Sequence, residues 1–214
     1  MVNLIPTKEE WRKALSERHG EAIQKKFSAA TVAICGLGGL GSNIAVSLAR
    51  AGVGKLILID FDRVDITNLH RQQYKANQIG INKTDALRNS LSEIAPYVAL
   101  ETHTIRVTEE NAAHLLQDAD IICEAFDDVE AKAMLTNTVL EALPRKYLVA
   151  ASGMAGMGSA NTIQTRRVSK RFYLCGDGIS DVSEAGSLVA SRVMLCAAHQ
   201  AHTVLRIIAG EFET

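Results

Sequence analysis

The chain has 214 residues, of which 47% are apolar, and 23 basic against 24 acidic side chains leave a net charge of −1. That length supports one well-packed α/β domain, and the charge balance carries no electrostatic footprint for nucleic acid or an anionic membrane as partner. Aromatic residues make up 5% and are scattered, which excludes a stacking platform for single strands. The cysteines Cys35, Cys123, Cys175 and Cys196 form no Cys-x-x-Cys pair, so neither a disulfide framework nor a cysteine zinc site is expected. The opening MVNLIPTKEEWRK lacks the apolar core of a signal peptide. No uncharged run approaches the roughly 18–20 residues of a membrane span. The expectation is a soluble cytoplasmic protein with reduced thiols.

Taken in chain order, Thr7-Lys-Glu-Glu10 has the form of a capping box, and a charged helix is predicted from there to about Phe27. Residues 1–28 thus read as an N-terminal helical segment ahead of one domain over 29–214. Thr31–Cys35 is a short β-branched apolar run and reads as a buried strand. A glycine turn comes next, then a small-residue helix from Ser42 to Ala51 and a second strand, Lys55–Asp60. Further predicted elements are a helix over Lys83–Ala95, ended by Pro96, and a strand over Val98–His103. A helix over Thr108–Leu116, a strand over Ile121–Cys123, a helix over Val129–Leu143 and a strand over Tyr147–Ala151 continue the alternation.

Alternating strands and helices predict an α/β fold, a Rossmann-like doubly wound sheet, mostly parallel, with helices on both faces. Beyond Ser152 the texture changes. Asn161–Thr165 has the composition of a strand, while Val168–Gly186 is polar and without period. A crossover loop near 167–186 is expected there, functional or mobile as long loops usually are. An apolar helix over Leu188–Ile208 closes the chain.

The first motif is Gly36-x-Gly38-Gly39-x-Gly41, with Asp60 nineteen residues after Gly41. Such glycines let backbone amides and a helix N-terminus approach phosphate, and an acid ending the second strand can accept ribose hydroxyls. Alone, this pattern also suits a nicotinamide-dependent oxidoreductase. The residues beyond Asp60 favour a triphosphate. Asn68, Arg71 and Gln72 come soon after it, Lys83 lies twelve residues after Arg71, and Asp127-Asp128 stands just past a predicted strand. A carboxylate approaching a polyphosphate needs fixed positive charge, which Arg71 and Lys83 can supply. Asp127 can hold a Mg²⁺. Taken singly, Arg71 and Lys83 could each be ordinary surface charges.

These residues together resemble the ThiF/MoeB/HesA family, the ubiquitin-activating-enzyme-like proteins, from about Glu17 to Glu211. The chain is most similar to the short, zinc-free ThiF-like branch of sulfur carrier adenylyltransferases. The resemblance implies ATP-dependent adenylation, with release of pyrophosphate, of the C-terminal glycine carboxylate of a small ubiquitin-like sulfur-carrier protein. The carrier of thiamine thiazole synthesis is the first choice. A molybdopterin-type carrier or a carboxylate on tRNA is the alternative.

It further implies that Gly39 lines the phosphate turn and that Asp60 binds ribose. Thr67, Asn68 and Arg71 would contact phosphates, with Gln72 in the same motif. Lys83 would be the phosphate lysine, and Asp127 the magnesium aspartate. Family members are typically homodimers in which an N-terminal arginine enters the partner's site, for which Arg18 is the candidate and Arg12 the alternative. Some relatives use a cysteine of the crossover segment covalently. Cys175 is the candidate here, with plain burial as the competing reading. Asp128 stands where Asn is common, and the lack of Cys-x-x-Cys pairs implies no zinc, with the closing helix held by apolar packing. His199 and His202 share a helix face without a third ligand and read as packing or solvent residues.

Overall fold

The computed structural model describes residues 5–214, so the first four residues of the N-terminal segment lie outside the described residues. The capping box forms. The Thr7 hydroxyl accepts the Glu10 amide at 3.2 Å, and the Glu10 carboxylate accepts the Thr7 amide at 2.7 Å. The predicted single helix is instead two, α1 (Lys8–His19) and α2 (Glu21–Ala29). They are broken at Gly20, whose φ of +84° no helix can accommodate.

Strands β1 (Thr31–Cys35), β2 (Lys55–Ile59), β3 (Ala99–His103), β4 (Ile121–Glu124) and β5 (Tyr147–Ala151) alternate with helices. These helices are α3 (Gly39–Arg50), α4 (Lys83–Ile94), α5 (Glu109–Leu116) and α6 (Val129–Ala142). Together with β6 (Gln164–Ser169) and β7 (Phe172–Gly176), the strands form one sheet ordered β3-β2-β1-β4-β5-β7-β6. All pairs are parallel except β6 with β7.

The alternation of side chains along each strand divides the interior in two. Val32 and Ile34 of β1 join α3, α4 and α8 (Ala190–Ala209) through Ile44, Leu48, Leu87 and Val204. Ala33 and Cys35 face the other way, onto α5 and α6 through Leu116 and Leu135. Both faces are therefore covered, and the α/β doubly wound expectation holds.

The expected crossover loop near 167–186 needs correction. Its first half is an antiparallel hairpin, β6 and β7, and only the residues after it, with the short α7 (Val182–Ala185), are irregular. Polar residues hid β6 because it is the sheet's edge, where every side chain but the half-buried Thr165 is exposed. No helix among the described residues is long and apolar enough to cross a membrane.

Candidate nucleotide-binding site

The strand order runs outward in both directions from the β1–β4 pair, and there the loops leaving the two strands part to form a crevice. A cavity of about 480 Å³ opens at this point, over the carboxyl ends of the parallel strands. Its floor is the glycine turn after β1. Gly36 has φ +90°, and a Cβ there would lie 2.7 Å from the Ala125 carbonyl oxygen. A Cβ on Gly41 would lie 1.8 Å from the Gly36 carbonyl oxygen, so the turn can close onto α3 only without side chains. Gly38 and Gly39 border the open space, and the N-terminus of the twelve-residue α3 faces it.

Charge is concentrated on the wall beside this turn. The Asp60 carboxylate, 7% exposed, accepts the Leu37 amide at 2.6 Å and the Asp62 amide at 2.8 Å. One lone pair on each oxygen stays free for a hydroxyl. Burial raises its pKa, with the Lys83 ammonium pulling the other way. Lys83, at the start of α4 and only 7% exposed, places Nζ 2.7 Å from Asp62 and 3.9 Å from Asp60. Arg71 lines the cavity, and its Nη2 donates to the Asn68 side-chain oxygen at 3.2 Å. Gln72 also lines it, 7% exposed and with its side-chain oxygen unpaired. A buried amide oxygen without a partner calls for a donor from ligand or water.

Across the crevice, Asp127 lines the cavity and is exposed. A magnesium ion asks for one or two carboxylates, with substrate phosphates and waters completing the shell. An exposed acid on the same cavity as the glycine turn fits that donor set. Among the described residues no group of three or more His, Cys, Asp or Glu is arranged to hold a metal without such help.

Several expectations need revision. Thr67 and Asn68 do not line the cavity. The Thr67 amide and hydroxyl are both bonded to Asp65, which caps the short turn Ile66–Asn68, and the Asn68 oxygen orients Arg71 instead. Asp128 borders the cavity, but its carboxylate accepts the Ala131 amide at 2.8 Å and caps α6. This capping gives the side chain a structural role, one that an asparagine oxygen fills equally well. Gly41 acts by packing and does not face the ligand space.

Cys175 belongs to β7, not to a loop. It is fully buried between Thr165 and Thr203, and burial pushes its thiol up, away from the reactive thiolate. A covalent role is therefore withdrawn. Arg18 and Arg12 are exposed on α1 and do not line this chain's own cavity.

Three features were missed in the sequence. Glu124, 1% exposed at the end of β4, pairs at 2.9 Å with Lys132 of α6, which lines the cavity and also donates to the Phe126 carbonyl at 3.0 Å. The signal was there, since an acid inside an apolar strand run requires a buried partner. Arg106 stacks 4.1 Å over the Phe61 ring, and both border the cavity. Finally, α8 is fixed by more than apolar packing, because Arg192 near its start forms a buried pair with Asp177 at 2.6 Å.

The fold matches Escherichia coli tRNA N6-threonylcarbamoyladenosine dehydratase, TcdA, solved in complex with ATP, with a TM-score of 0.85 at 21% identity, covering 97% of this chain and 98% of that one. Among curated proteins, the adenylyltransferase and sulfurtransferase MOCS3 of Anopheles gambiae is 29% identical over 208 residues, covering 94% of this chain and 46% of the relative. Ubiquitin-like modifier-activating enzyme 5 of Caenorhabditis elegans is 46% identical over 88 residues, covering 41% of this chain and 20% of the relative. The chain thus spans less than half the length of these curated relatives. Residues 11–214, which take in the whole sheet and the cavity, match the ThiF family model, and the chain belongs to the ThiF family.

Proposed function

We propose that this protein adenylates the C-terminal carboxylate of a small ubiquitin-like sulfur-carrier protein, taking AMP from ATP and releasing pyrophosphate. The observation that carries the reading is one cavity holding a glycine phosphate turn, Arg71, Lys83 and an exposed Asp127. Phosphate oxygens rest on the α3 N-terminus, and Arg71 and Lys83 neutralise charge that builds as the carboxylate attacks the α-phosphorus. Lys83 is held 2.7 Å from Asp62, so it is aimed before substrate arrives. Asp127 would hold a magnesium ion, whose chemistry is to neutralise the phosphates. No side chain needs to act as nucleophile, and rate comes from positioning and preorganised charge.

The carrier of thiamine thiazole synthesis is the first candidate substrate. The protein would act in the cytoplasm as a homodimer, with Arg18 or Arg12 entering the partner's cavity. A carboxylate on tRNA is the second reading, favoured by the match to a tRNA-modifying enzyme and opposed by the near-neutral charge. The test is ATP–pyrophosphate exchange with Mg²⁺ and, separately, carriers ending in Gly-Gly and threonylcarbamoylated tRNA. Exchange that depends on one carrier supports the first reading. Exchange that depends only on tRNA replaces it with the second, and exchange with neither rejects both.

A further inference from the structure

One part of the cavity lining carries no cation, and its one acid, Asp181, accepts the Ser183 amide and hydroxyl and so caps α7. It is made of Ser152–Ala155 beyond β5 and Ser180–Val182 beyond β7. Neither segment is regular, yet their polar groups are tied together. The Asp177 amide donates to the Gly153 carbonyl at 2.9 Å and the Gly178 amide to the Ser152 carbonyl at 3.0 Å. The Asp177 carboxylate accepts the Ile179 and Ser180 amides at 3.0 and 2.9 Å, and the Ser180 hydroxyl accepts the Ala155 amide at 3.0 Å.

Arg192 closes this network from behind. Its Nη1 donates to the carbonyls of Gly158 and Ser159 at 2.8 and 2.7 Å. Its Nη2 donates to the Thr162 hydroxyl at 3.1 Å and to Asp177 at 2.6 Å. Arg192 and Asp177 side chains are each 6% exposed, and neither borders the cavity. A buried guanidinium serving four acceptors on two irregular segments is hard to replace, because a lysine offers one point charge where arginine offers a fork.

The next residue, Val193, borders the cavity and abuts the glycine turn, so that a Cβ on Gly39 would lie 2.8 Å from its Cγ1. The first turn of α8 therefore touches the nucleotide turn with one residue and holds this part of the lining with its neighbour.

We propose that Arg192, with Asp177, is a positioning residue that sets the acceptor wall of the cavity, the side on which the carrier's C-terminal peptide lies against the nucleotide. The wall holds no cation, its side chains apart from Asp181 are uncharged, and Asp181 already accepts from Ser183, which suits a peptide and does nothing for a phosphate. The assignment of the peptide to this wall rests on adenylation of a carrier being the reaction; the clamp itself does not. A merely structural role would weaken ATP and carrier binding alike, whereas a positioning role separates them.

The experiment compares wild type with Arg192→Lys and with the isosteric Asp177→Asn. It measures ATP affinity by calorimetry, carrier KM and kcat by pyrophosphate exchange, and amide hydrogen exchange across the chain. The expected result is carrier KM raised at least tenfold with ATP affinity within twofold. Faster exchange should be confined to 152–162 and 177–182. Equal loss of ATP and carrier binding, or faster exchange throughout the sheet, overturns the proposal. Should wild type turn over no carrier, the functional reading fails on its own. Hydrogen exchange still decides the clamp, since unchanged protection of the two segments in both variants overturns it.

Discussion

Replacing Lys132 with methionine keeps the length of the side chain and removes its charge, leaving Glu124 buried at 1% exposure with backbone amides as its remaining donors, Phe126 at 2.7 Å and Ala151. At 2.9 Å and an effective dielectric of 20, the lost attraction is about 6 kcal/mol gross. Desolvation of the pair already offsets part of it. Breaking one side of a buried pair typically costs about 3–5 kcal/mol, because an uncompensated charge stays behind. For a domain of this size each kcal/mol lowers Tm by roughly 2–4 °C, so a fall of about 6–20 °C at pH 7 is expected.

The pH dependence has a defined sign. Burial raises the Glu124 pKa and Lys132 opposes that rise, so losing Lys132 raises it further. A carboxyl whose folded pKa exceeds its unfolded value contributes stability below the ordinary carboxylate range and loses it as pH rises through the folded pKa. The deficit of Lys132→Met therefore shrinks as pH falls from 7 towards 5, and adding Glu124→Gln recovers most of it at pH 7. Urea denaturation of the four species measures the coupling directly. A deficit below about 1 kcal/mol at pH 7, or one that does not vary with pH, would refute the reasoning.

The other predictions concern the cavity and the buried thiol. Gly41→Ala forces a carbon to within 1.8 Å of the Gly36 carbonyl oxygen. It should cost about 1–3 kcal/mol, as overpacking does, and calorimetry should show ATP binding weakened more than tenfold; binding at wild-type strength would mean the turn does not hold phosphate. Lys83→Met removes an ammonium 7% exposed beside the turn and should likewise lower ATP affinity at least tenfold, with sheet circular dichroism intact. Cys175→Ala should leave carrier-dependent turnover unchanged and cost about 1 kcal/mol of packing, and loss of turnover with retained folding would restore a covalent role for the thiol.

The strand–helix alternation through β5 was legible because β1, β2, β4 and β5 are buried on both faces and read as short apolar runs, while the half-exposed edge strand β3 was marked by its place after Pro96. The place of the glycine turn and Lys83 on one cavity was legible because a turn this tight admits only glycine at Gly36 and Gly41, and because loops beyond the carboxyl ends of parallel strands converge. Thr67 and Asn68 misled because the turn Ile66–Asn68 uses their polar groups to cap itself and to aim Arg71. The β6–β7 hairpin was lost since an edge strand such as Gln164–Ser169 carries polar residues on both faces. Buried pairs such as Glu124–Lys132 and Asp177–Arg192 join residues 8 and 15 positions apart. Such pairs leave no local period, so only the cost of an unpaired buried charge could have hinted at them.

The most direct test of the central claim is the intact mass of a Gly-Gly-ending carrier after incubation with the protein, ATP and Mg²⁺ under conditions that preserve acyl-adenylates. A carrier gaining one adenylyl group, with wild type but not with Asp127→Ala, is the predicted result. A carrier whose mass never changes while the protein binds ATP tightly would contradict the account.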